Sequence, residues 1–452
     1  MLRLHDTATG TVRPLELREP GKVSMYVCGP TVYDVPHLGH GRFALVFDVL
    51  RRYLAWSGHE VRYVSNVTDI DDKIISRARD EGKTTEEVVA IYEAAWWAAT
   101  DGLGIRRPDV DPHATAYIPQ MIELVERLVR KGAAYETTDG VYLSVAEVPG
   151  YGMLARQSLE SLRAGARVDV DDDKRSPLDF VLWKRAKPDE PSWDSPWGPG
   201  RPGWHTECVV MSLDLLGEGF DIHGGGADLA FPHHENERAQ AVADGRSFAG
   251  HWVHNGWVVV DGEKMSKSLG NFASLTDLLE RVDSRAYRLL VLRSHYRSPL
   301  EVSPGTTADA AAALERLDNL SRRASEAELD EPEPDRTSLH AFRQAMDDDL
   351  DTPAAMALVF DLVRRANVAL DAGEPDVAAP LVAAVREVTA AVGLVLAARD
   401  DAPDAASAAL VARRDQARSA HDWAAADAAR DELVASGWVV EDAASGTRIR
   451  RR

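Results

Sequence analysis

The stretch from Met25 to His40 constrains the fold more than any other part of the chain. It begins as an apolar run typical of a β-strand, breaks at Gly29-Pro30, and ends in a histidine pair, His37 and His40. Apolar residues then recur at helical spacing over 45–54, which predicts a helix. The stretch is therefore a strand, a loop and a helix N-terminus. Such a terminus suits phosphate, because it carries free N–H groups and the positive end of the helix dipole.

Further strand and helix patterns extend this unit. A second strand is predicted over Val61–Val67, the sheet is predicted to resume at Trp204, and it continues through Phe220–His223 and Trp252–Val260. This order predicts an α/β fold with a doubly wound, Rossmann-type parallel sheet that is split by an insertion. In such sheets, ligand-binding loops follow the carboxyl ends of the strands.

Composition shifts along the chain predict the domain organisation. Residues 133–200 mix short β-type pieces with a Pro/Trp/Gly-rich segment, and residues after 300 are Ala- and Leu-rich with helical periodicity. The predicted regions are 1–132 (first half of the α/β domain), 133–200 (connecting insertion), 201–300 (second half), 301–398 (helical bundle) and 409–452 (a small α+β module).

Length, cysteine usage and charge restrict the class of protein. The chain has 452 residues and two cysteines, which argues against a disulfide framework and predicts a cytoplasmic location. No apolar run approaches the ~20 residues of a membrane span. The net charge of −21 opposes a nucleic-acid partner for the chain as a whole. A local basic face can still contact phosphates.

Four side chains of metal-ligand type occur in two separate parts of the chain. Cys28 and Cys208 supply thiols, whereas His233 and Glu237 lie four residues apart and share a face if they belong to one helix. Two thiolates, an imidazole and a carboxylate form a ligand set that suits zinc. The alternative, in which two thiols are buried in the core and a histidine caps a helix, stays open from these residues alone.

Two glycine- or lysine-rich strings suggest a nucleotide site. Gly224–Gly226 precede Asp228, so that backbone can approach a nucleotide and a carboxylate can accept a ribose hydroxyl. Lys264-Met265-Ser266-Lys267-Ser268 follows a strand pattern, and its lysines could neutralise charge on a leaving pyrophosphate. A simple turn and a solvated Lys/Ser loop are the corresponding structural alternatives.

These motifs together resemble the cysteinyl-tRNA synthetases, a family of class I aminoacyl-tRNA synthetases. The string His37–His40 resembles the first signature of the class, Lys264–Ser268 matches the second, and the four donors fall on the zinc positions of the family. The resemblance implies one Zn²⁺ per chain and ATP with Mg²⁺ as substrate. It assigns catalysis to His37, His40, Lys264 and Lys267. It assigns ATP binding to these four with Gly39, Gly225 and Asp228, and it places His223 at the same nucleotide pocket. It assigns cysteine binding to Gly29, Thr68 and Trp204, and the metal to Cys28, Cys208, His233 and Glu237.

The C-terminal module also resembles that of the family. Its spacing of arginines, acids and a tryptophan matches the positions that read the anticodon by stacking and hydrogen bonding. These positions are Arg414, Arg418, Trp423, Asp427 and Asp442. Without the resemblance, the same helix pattern equally describes a solvated charged face.

The resemblance implies that the protein is a cysteine–tRNA ligase. Such an enzyme activates L-cysteine with ATP, transfers it to tRNA(Cys), selects the thiolate through zinc, and is expected to be a monomer. One alternative is the related ligase that joins cysteine to a glucosaminyl-inositol acceptor in mycothiol synthesis, which should lack the module at 409–452. Another is a non-catalytic synthetase paralogue, although such proteins often lose a signature residue and none is lost here.

Overall fold

The computed structural model describes residues 1–158, 160–162, 173–260, 263–264, 274–329, 332–397, 405–443 and 446–451. The chain forms two compact units. The first unit comprises residues 1–320 and 327–396, and the second comprises residues 321–326 and 397–452. Among the described residues, no helix combines the length and the apolar character needed to cross a bilayer.

A four-stranded parallel sheet lies in the first unit, after an antiparallel ribbon of β1 (Arg3–Asp6) and β2 (Thr11–Pro14). Its strands are β3 (Lys22–Val27), β4 (Glu60–Ser65), β9 (Ile222–Gly226) and β10 (His251–Asn255). They lie in the order β10-β9-β3-β4, and all of their pairings are parallel. Strand β3 is buried from its second residue onward, as expected for an inner strand that is covered on both faces.

Helix α1 (Leu38–Trp56) follows β3 and contacts both β4 and β9. Its buried residues include Leu45, Val46, Val49 and Leu50, so the predicted apolar stripe is the face that packs on the sheet. The next helices are α2 (Asp72–Glu81), α3 (Thr85–Gly102) and α4 (Ile118–Arg130).

The region predicted as an insertion contains a separate antiparallel sheet. Its strands are β5 (Ala134–Glu136), β6 (Gly140–Leu143), β7 (Phe180–Arg185) and β8 (Gly200–Pro202), which lie in that order. The two halves of the parallel sheet are thus separated in sequence by a differently built element. The prediction of an α/β fold with a split parallel sheet is confirmed.

The predicted resumption of the sheet at Trp204 is wrong. Helix α5 (Trp204–Leu216) begins there, and β9 follows only at Ile222. The helix is buried over 206–213, so it lacks a polar face whose spacing would separate it from a buried strand. Helix α6 (Glu235–Ala243) then follows an irregular helical segment, Ala230–His234.

The remaining elements of the first unit are a small sheet and a helical bundle. The predicted strand Trp252–Val260 is interrupted at residues 256–257, and the second part belongs to a sheet of order β12-β11-β13. Its strands are β11 (Val258–Val260), β12 (Glu263–Lys264) and β13 (Leu300–Glu301). The helices are α7 (Leu275–Leu279), α8 (Ser284–Leu292), α9 (Pro304–Glu326), α10 (Arg336–Asp347), α11 (Thr352–Asp371) and α12 (Pro375–Ala391). Residues 321–326 at the end of α9 belong to the second unit.

The second unit pairs two helices with a β-hairpin. Its elements are α13 (Ala405–Ser419), α14 (Trp423–Ala435), β14 (Trp438–Ala443) and β15 (Gly446–Arg451). The sequence indicated only a short β-type end at 437–440. The second strand of the hairpin contains Arg448, Arg450 and Arg451.

Candidate active site and metal centre

A cavity of about 320 Å³ opens beyond the carboxyl ends of β3 and β9. Its lining comes from the loop after β3, the first turn of α1, the loop after β9 and the segment between β10 and β11. The predicted site residues in this lining are Cys28, Gly29, His37, Gly39, His40, Trp204 and Asp228. The position agrees with the rule that open α/β sheets bind ligands at the carboxyl ends of their strands.

His37 and His40 form the start of α1. The Nδ1 atom of His37 accepts a hydrogen bond from the backbone N–H of His40 at 3.2 Å, and the reciprocal bond is 3.3 Å. The two rings stack with centroids 3.7 Å apart. Because both Nδ1 atoms accept, each neutral ring carries its proton on Nε2. Helix capping and a place in the cavity lining are thus compatible roles for the same histidines.

Four buried donors meet beside the cavity, at the place where Cys28, one of the four, belongs to its lining; this place is called the inner end below. The Sγ atoms of Cys28 and Cys208 lie 3.6 Å apart, and Cys28 Sγ lies 3.4 Å from Glu237 Oε1. His233 Nε2 is 3.7 Å from Cys208 Sγ and 3.0 Å from Glu237 Oε1. All four ligand atoms lie within 4.8 Å of one another. The structure therefore brings together residues that are up to 209 positions apart in the sequence.

The spacing of these donors is compatible with one tetrahedral metal ion. Zn–S bonds of about 2.3 Å and Zn–N bonds of about 2.0 Å place two sulfurs about 3.8 Å apart, and a sulfur and a nitrogen about 3.5 Å apart. The separations of 3.6 and 3.7 Å are close to these values. A disulfide is excluded at this distance, because an S–S bond is about 2.0 Å long.

Burial disfavours the charged forms of the two thiols and the imidazole in this cluster. It raises the pKa of the Cys28 thiol well above its usual value and lowers the pKa of His233 well below its usual value. For Cys208, the hydrogen bond from Cys28 lowers the pKa. Burial and the carboxyl groups of Glu237 and Glu207 together raise the pKa by more, so the net shift is upward. A cation at this point would favour the thiolates, because it offsets the cost of burying their charge.

His205 and Trp204 fix the orientation of the His233 ring. The Nδ1 atoms of His205 and His233 lie 2.7 Å apart, and the indole of Trp204 stacks on the His233 ring at 3.9 Å. Burial lowers the pKa of His205 to about 4, so its ring is neutral at pH 7. When His205 accepts the proton of His233 Nδ1–H, the lone pair of His233 Nε2 is directed at the donor cluster.

Comparison with known proteins assigns the family. The profile described as tRNA synthetases class I (C) catalytic domain matches residues 14–312, and that of the DALR domain matches residues 341–397. The cysteine–tRNA ligase of Halorhodospira halophila is 47% identical over 462 residues, which cover 100% of both chains. The chain belongs to the cysteine–tRNA ligase family. The predicted family and enzyme class, an aminoacyl-tRNA ligase, are confirmed.

Other members and more distant structures agree. The cysteine–tRNA ligase of an Escherichia coli strain, O17:K52:H18, is 46% identical over 465 residues, again 100% of each chain. A structure of Mycobacterium tuberculosis methionyl-tRNA synthetase bound by methionyl-adenylate covers 90% of this chain and 96% of its own at a TM-score of 0.63. Its sequence identity is 14%, so this likeness shows the class I fold alone.

A network of buried histidines, which the sequence did not predict, contacts the donor cluster. His223 Nε2 is 2.7 Å from Glu237 Oε2, and His234 Nδ1 is 2.8 Å from His254 Nε2. Cys28, His223, His234 and Glu237 also fall within 4.8 Å of one another. The sequence associated His223 with the nucleotide pocket, but the structure buries it beside Glu237.

Besides the donors Cys208, His233 and Glu237, the predicted residues Gly225 and Thr68 also lie outside the cavity lining. Gly225 packs against His234, since a Cβ built on it would lie 2.8 Å from that ring. Thr68 is buried, and its hydroxyl donates to Glu207 Oε2 at 3.0 Å. Thr68 also accepts from Asn66, whose Oδ1 accepts the Gly29 N–H at 2.9 Å. Thr68 thus reaches the cavity wall only through Asn66 and backbone.

Only part of the second signature is described. Lys264 belongs to β12, whereas Lys267 lies outside the described residues. The assignment of both lysines to the active site of this chain stays a prediction. Strand β12 pairs with β11, whose first residue, Val258, lines the cavity.

The predicted anticodon residues differ in their exposure within the second unit. Trp423 is 58% exposed and Asp427 is exposed, whereas Arg418 is half-buried. Arg414 is only 3% exposed, and its Nη1 donates to Thr447 Oγ1 at 2.6 Å. The structure thus assigns Arg414 a role in the interior of the unit. Asp442 belongs to β14, but its side chain lies outside the described residues.

Proposed function

We propose that this protein activates L-cysteine with ATP and transfers the cysteinyl group to the 3′ end of tRNA(Cys). The observation that carries the proposal is the position of the donor cluster. Two thiols, an imidazole and a carboxylate lie at the inner end of the cavity, and Cys28 of this cluster shares the cavity lining with His37 and His40. The donor cluster and the N-terminus of α1 therefore both adjoin one space of about 320 Å³, which supports a thiol-selective centre and a phosphate site in the same pocket.

We assign Zn²⁺ to the donor cluster. Cys28, Cys208, His233 and Glu237 would hold it, and when bound it would supply a Lewis acid that favours a thiolate over a serine hydroxyl. Recognition of one polar atom can reject the analogue that lacks it by about 10⁴–10⁵-fold. Such discrimination would make a separate editing site unnecessary.

The chain's own residues position the two substrates for adenylation. The cavity wall at Gly29 has no room for a side chain, since a Cβ there would lie 1.7 Å from Asn66 O. Cysteine can therefore approach the backbone with its thiol toward Cys28 and its carboxylate toward the mouth. The Nε2–H groups of His37 and His40 bind and orient the phosphates at the N-terminus of α1.

The cysteine carboxylate attacks the α-phosphate of Mg²⁺-ATP, and pyrophosphate leaves. Lys264 and Lys267 would offset the charge that develops on pyrophosphate, while Asp228 would accept a ribose hydroxyl bond. The terminal ribose hydroxyl of tRNA(Cys) then attacks the cysteinyl carbonyl, and AMP leaves. Rate acceleration on this pathway comes from positioning and charge stabilisation.

Recognition of tRNA(Cys) would use the second unit. Trp423 offers an exposed ring for base stacking, and Asp427, four residues later on α14, offers an acceptor for base edges. The curated cysteine–tRNA ligases match this chain over its full length, which includes residues 409–452. That length weighs against the glucosaminyl-inositol ligase, for which no anticodon module is expected.

Pyrophosphate exchange followed by aminoacylation tests the proposal. Wild-type protein with Zn²⁺ should exchange pyrophosphate with ATP in the presence of cysteine, but far more slowly with serine or methionine. It should then charge tRNA(Cys) and leave a non-cognate tRNA uncharged. A folded, zinc-loaded protein that shows no exchange would exclude this function.

A further inference from the structure

Arg42 is a buried cation at the start of the signature helix, two residues after His40. Its side chain is fully buried. Among the described residues, no carboxylate lies within ion-pair distance of it, and its Nε atom has no hydrogen-bond acceptor. Burying a guanidinium without a counter-charge is costly. A buried arginine without a counter-charge is therefore expected to have a specific structural or functional role.

That charge is offset by backbone carbonyls from two segments. Arg42 Nη1 donates to Trp257 O at 2.6 Å. Arg42 Nη2 donates to His295 O at 3.3 Å, to Tyr296 O at 3.1 Å and to Ser298 O. One guanidinium thus joins α1 to residues 256–258 and to the loop 295–298.

These two segments are also in direct contact with each other. Gly256 N–H donates to Tyr296 O at 2.8 Å, and Leu300 N–H donates to Trp257 O at 2.9 Å. A Cβ on Gly256 would lie 2.5 Å from Arg297 O and 2.6 Å from Ser298 O. The backbone packing leaves no space for a side chain there, so a shift of either segment would move the other.

Residues 256–258 form a wall of the cavity. Gly256, Trp257 and Val258 belong to the same lining as His37 and His40. Val258 begins β11, and β11 pairs with the β12 strand that contains Lys264. Arg42 therefore connects the helix that carries the first signature to the strand pair that leads into the second.

We propose that Arg42 is a positioning residue for the nucleotide step: it holds the 256–258 wall and the β11–β12 strand pair in place relative to His37 and His40. This inference rests on the proposed function. Cysteine binding at Cys28 and Cys208 does not depend on that wall. Loss of Arg42 should consequently impair the use of ATP and spare the binding of cysteine.

The first variant is Arg42→Met, which keeps much of the length of the side chain and removes all of its donors. We expect kcat/KM for ATP in pyrophosphate exchange to fall by about 10²-fold, the size of effect that a small misplacement produces. The Kd for cysteine without ATP should stay within about twofold. Arg42→Lys keeps the charge and three donors, so it should recover roughly tenfold of that loss.

Arg288 provides the matched control. It is a buried arginine that also contacts α1, but it pairs with Asp48 at 2.7 Å and with carbonyls remote from the cavity. Arg288→Met should lower Tm while changing ATP and cysteine parameters equally little in the folded fraction. If Arg42→Met behaves like this control, or loses cysteine affinity and ATP use together, the inference is wrong.

Gly256→Ala displaces the same wall but leaves Arg42 in place. It provides a second test if Arg42→Met does not fold. It should show the same ATP-selective loss, and wild-type exchange kinetics in Gly256→Ala would contradict the inference. If wild-type protein shows no exchange, the proposed function fails. The role of Arg42 is then tested by amide exchange, which should accelerate at 256–258 in Arg42→Lys; unchanged protection there would refute it.

Discussion

The inner end of the cavity, at the donor cluster, and its mouth, at His37 and His40, differ in how far their side chains are exposed to water. At the inner end, Cys28, Cys208, His233 and Glu237 are almost wholly excluded from water. Burial raises the pKa values of the two thiols and lowers the pKa of the imidazole, which favours their uncharged forms. At the mouth, His37 and His40 are half-buried and exchange hydrogen bonds with the backbone of a helix terminus. Selecting the sulfur atom of cysteine requires a site that excludes water, whereas binding a solvated polyphosphate requires a site that is open to water.

This difference means that the two ends should fail in different ways. Changes at the inner end should alter which amino acid is bound, and changes at the mouth should alter how fast it is activated. The following predictions test that separation.

Removal of the metal should have the largest effect. A chelator that strips Zn²⁺ should reduce the discrimination between cysteine and serine from about 10⁴-fold or more to near unity, because the cluster without a cation no longer favours a thiolate over a hydroxyl. ATP affinity, measured by equilibrium dialysis, should change little. Equal loss of cysteine and ATP binding after chelation would mean that the two ends are not separate.

His40→Asn should have the next largest effect. An asparagine amide occupies roughly the position of Nδ1 and can preserve the hydrogen bond to His37 N–H, but it lacks the Nε2–H donor. We expect kcat for pyrophosphate exchange to fall by about 10²–10³-fold, with little change in the Kd for cysteine. The control is His40→Ala, which should also lose about 1 kcal/mol of folding stability through the missing cap.

His205→Phe should have an intermediate effect on metal binding. Phenylalanine retains a ring beside Phe180 and Trp204 but removes the nitrogen that faces His233 Nδ1. Zinc affinity, measured by competition with a coloured chelator, should fall by about 10–100-fold. His205→Asn keeps a polar atom near that position and should restore much of the affinity. If both variants bind zinc like wild type, the proposed orientation of His233 is incorrect.

Trp423→Ala should leave both ends of the cavity unaffected. The exposed indole lies in the second unit, so pyrophosphate exchange should be unchanged. Affinity for tRNA(Cys) should fall by roughly tenfold, since one base–aromatic stack contributes about 1–3 kcal/mol. Ala424→Gly, at the neighbouring exposed position, controls for a change in helix stability. Unchanged tRNA affinity in Trp423→Ala would remove this ring from the recognition surface.

The sequence predicted the main architecture because its signals are local. The apolar run before Gly29 and the helical spacing after His40 identify β3 and α1 without tertiary information. The four metal donors could be selected because the chain has only two cysteines and because His233 and Glu237 are four residues apart. The helix at Trp204 was missed, since a helix buried on all sides has no polar face to reveal its period.

The supporting contacts could not be predicted, because they form only between distant segments. His205 meets His233 across 28 residues, and Arg42 meets the carbonyls of 295–298 across more than 250. Neither residue belongs to a sequence pattern that signals a contact. Arg414 shows a different limit. A charged residue on a predicted helix is expected to lie at the surface, yet Arg414 is buried and donates a hydrogen bond to Thr447 of the β-hairpin.

The central claim is that the buried cluster binds Zn²⁺ and selects cysteine. Its most direct test measures zinc per chain together with the Kd for cysteine and for serine, on wild type and on Cys208→Ser. We predict one zinc per chain and far tighter binding of cysteine than of serine in wild type, with both properties lost in the variant. Zinc retained at full occupancy in Cys208→Ser, or zinc present in wild type without any preference for cysteine, would contradict the account.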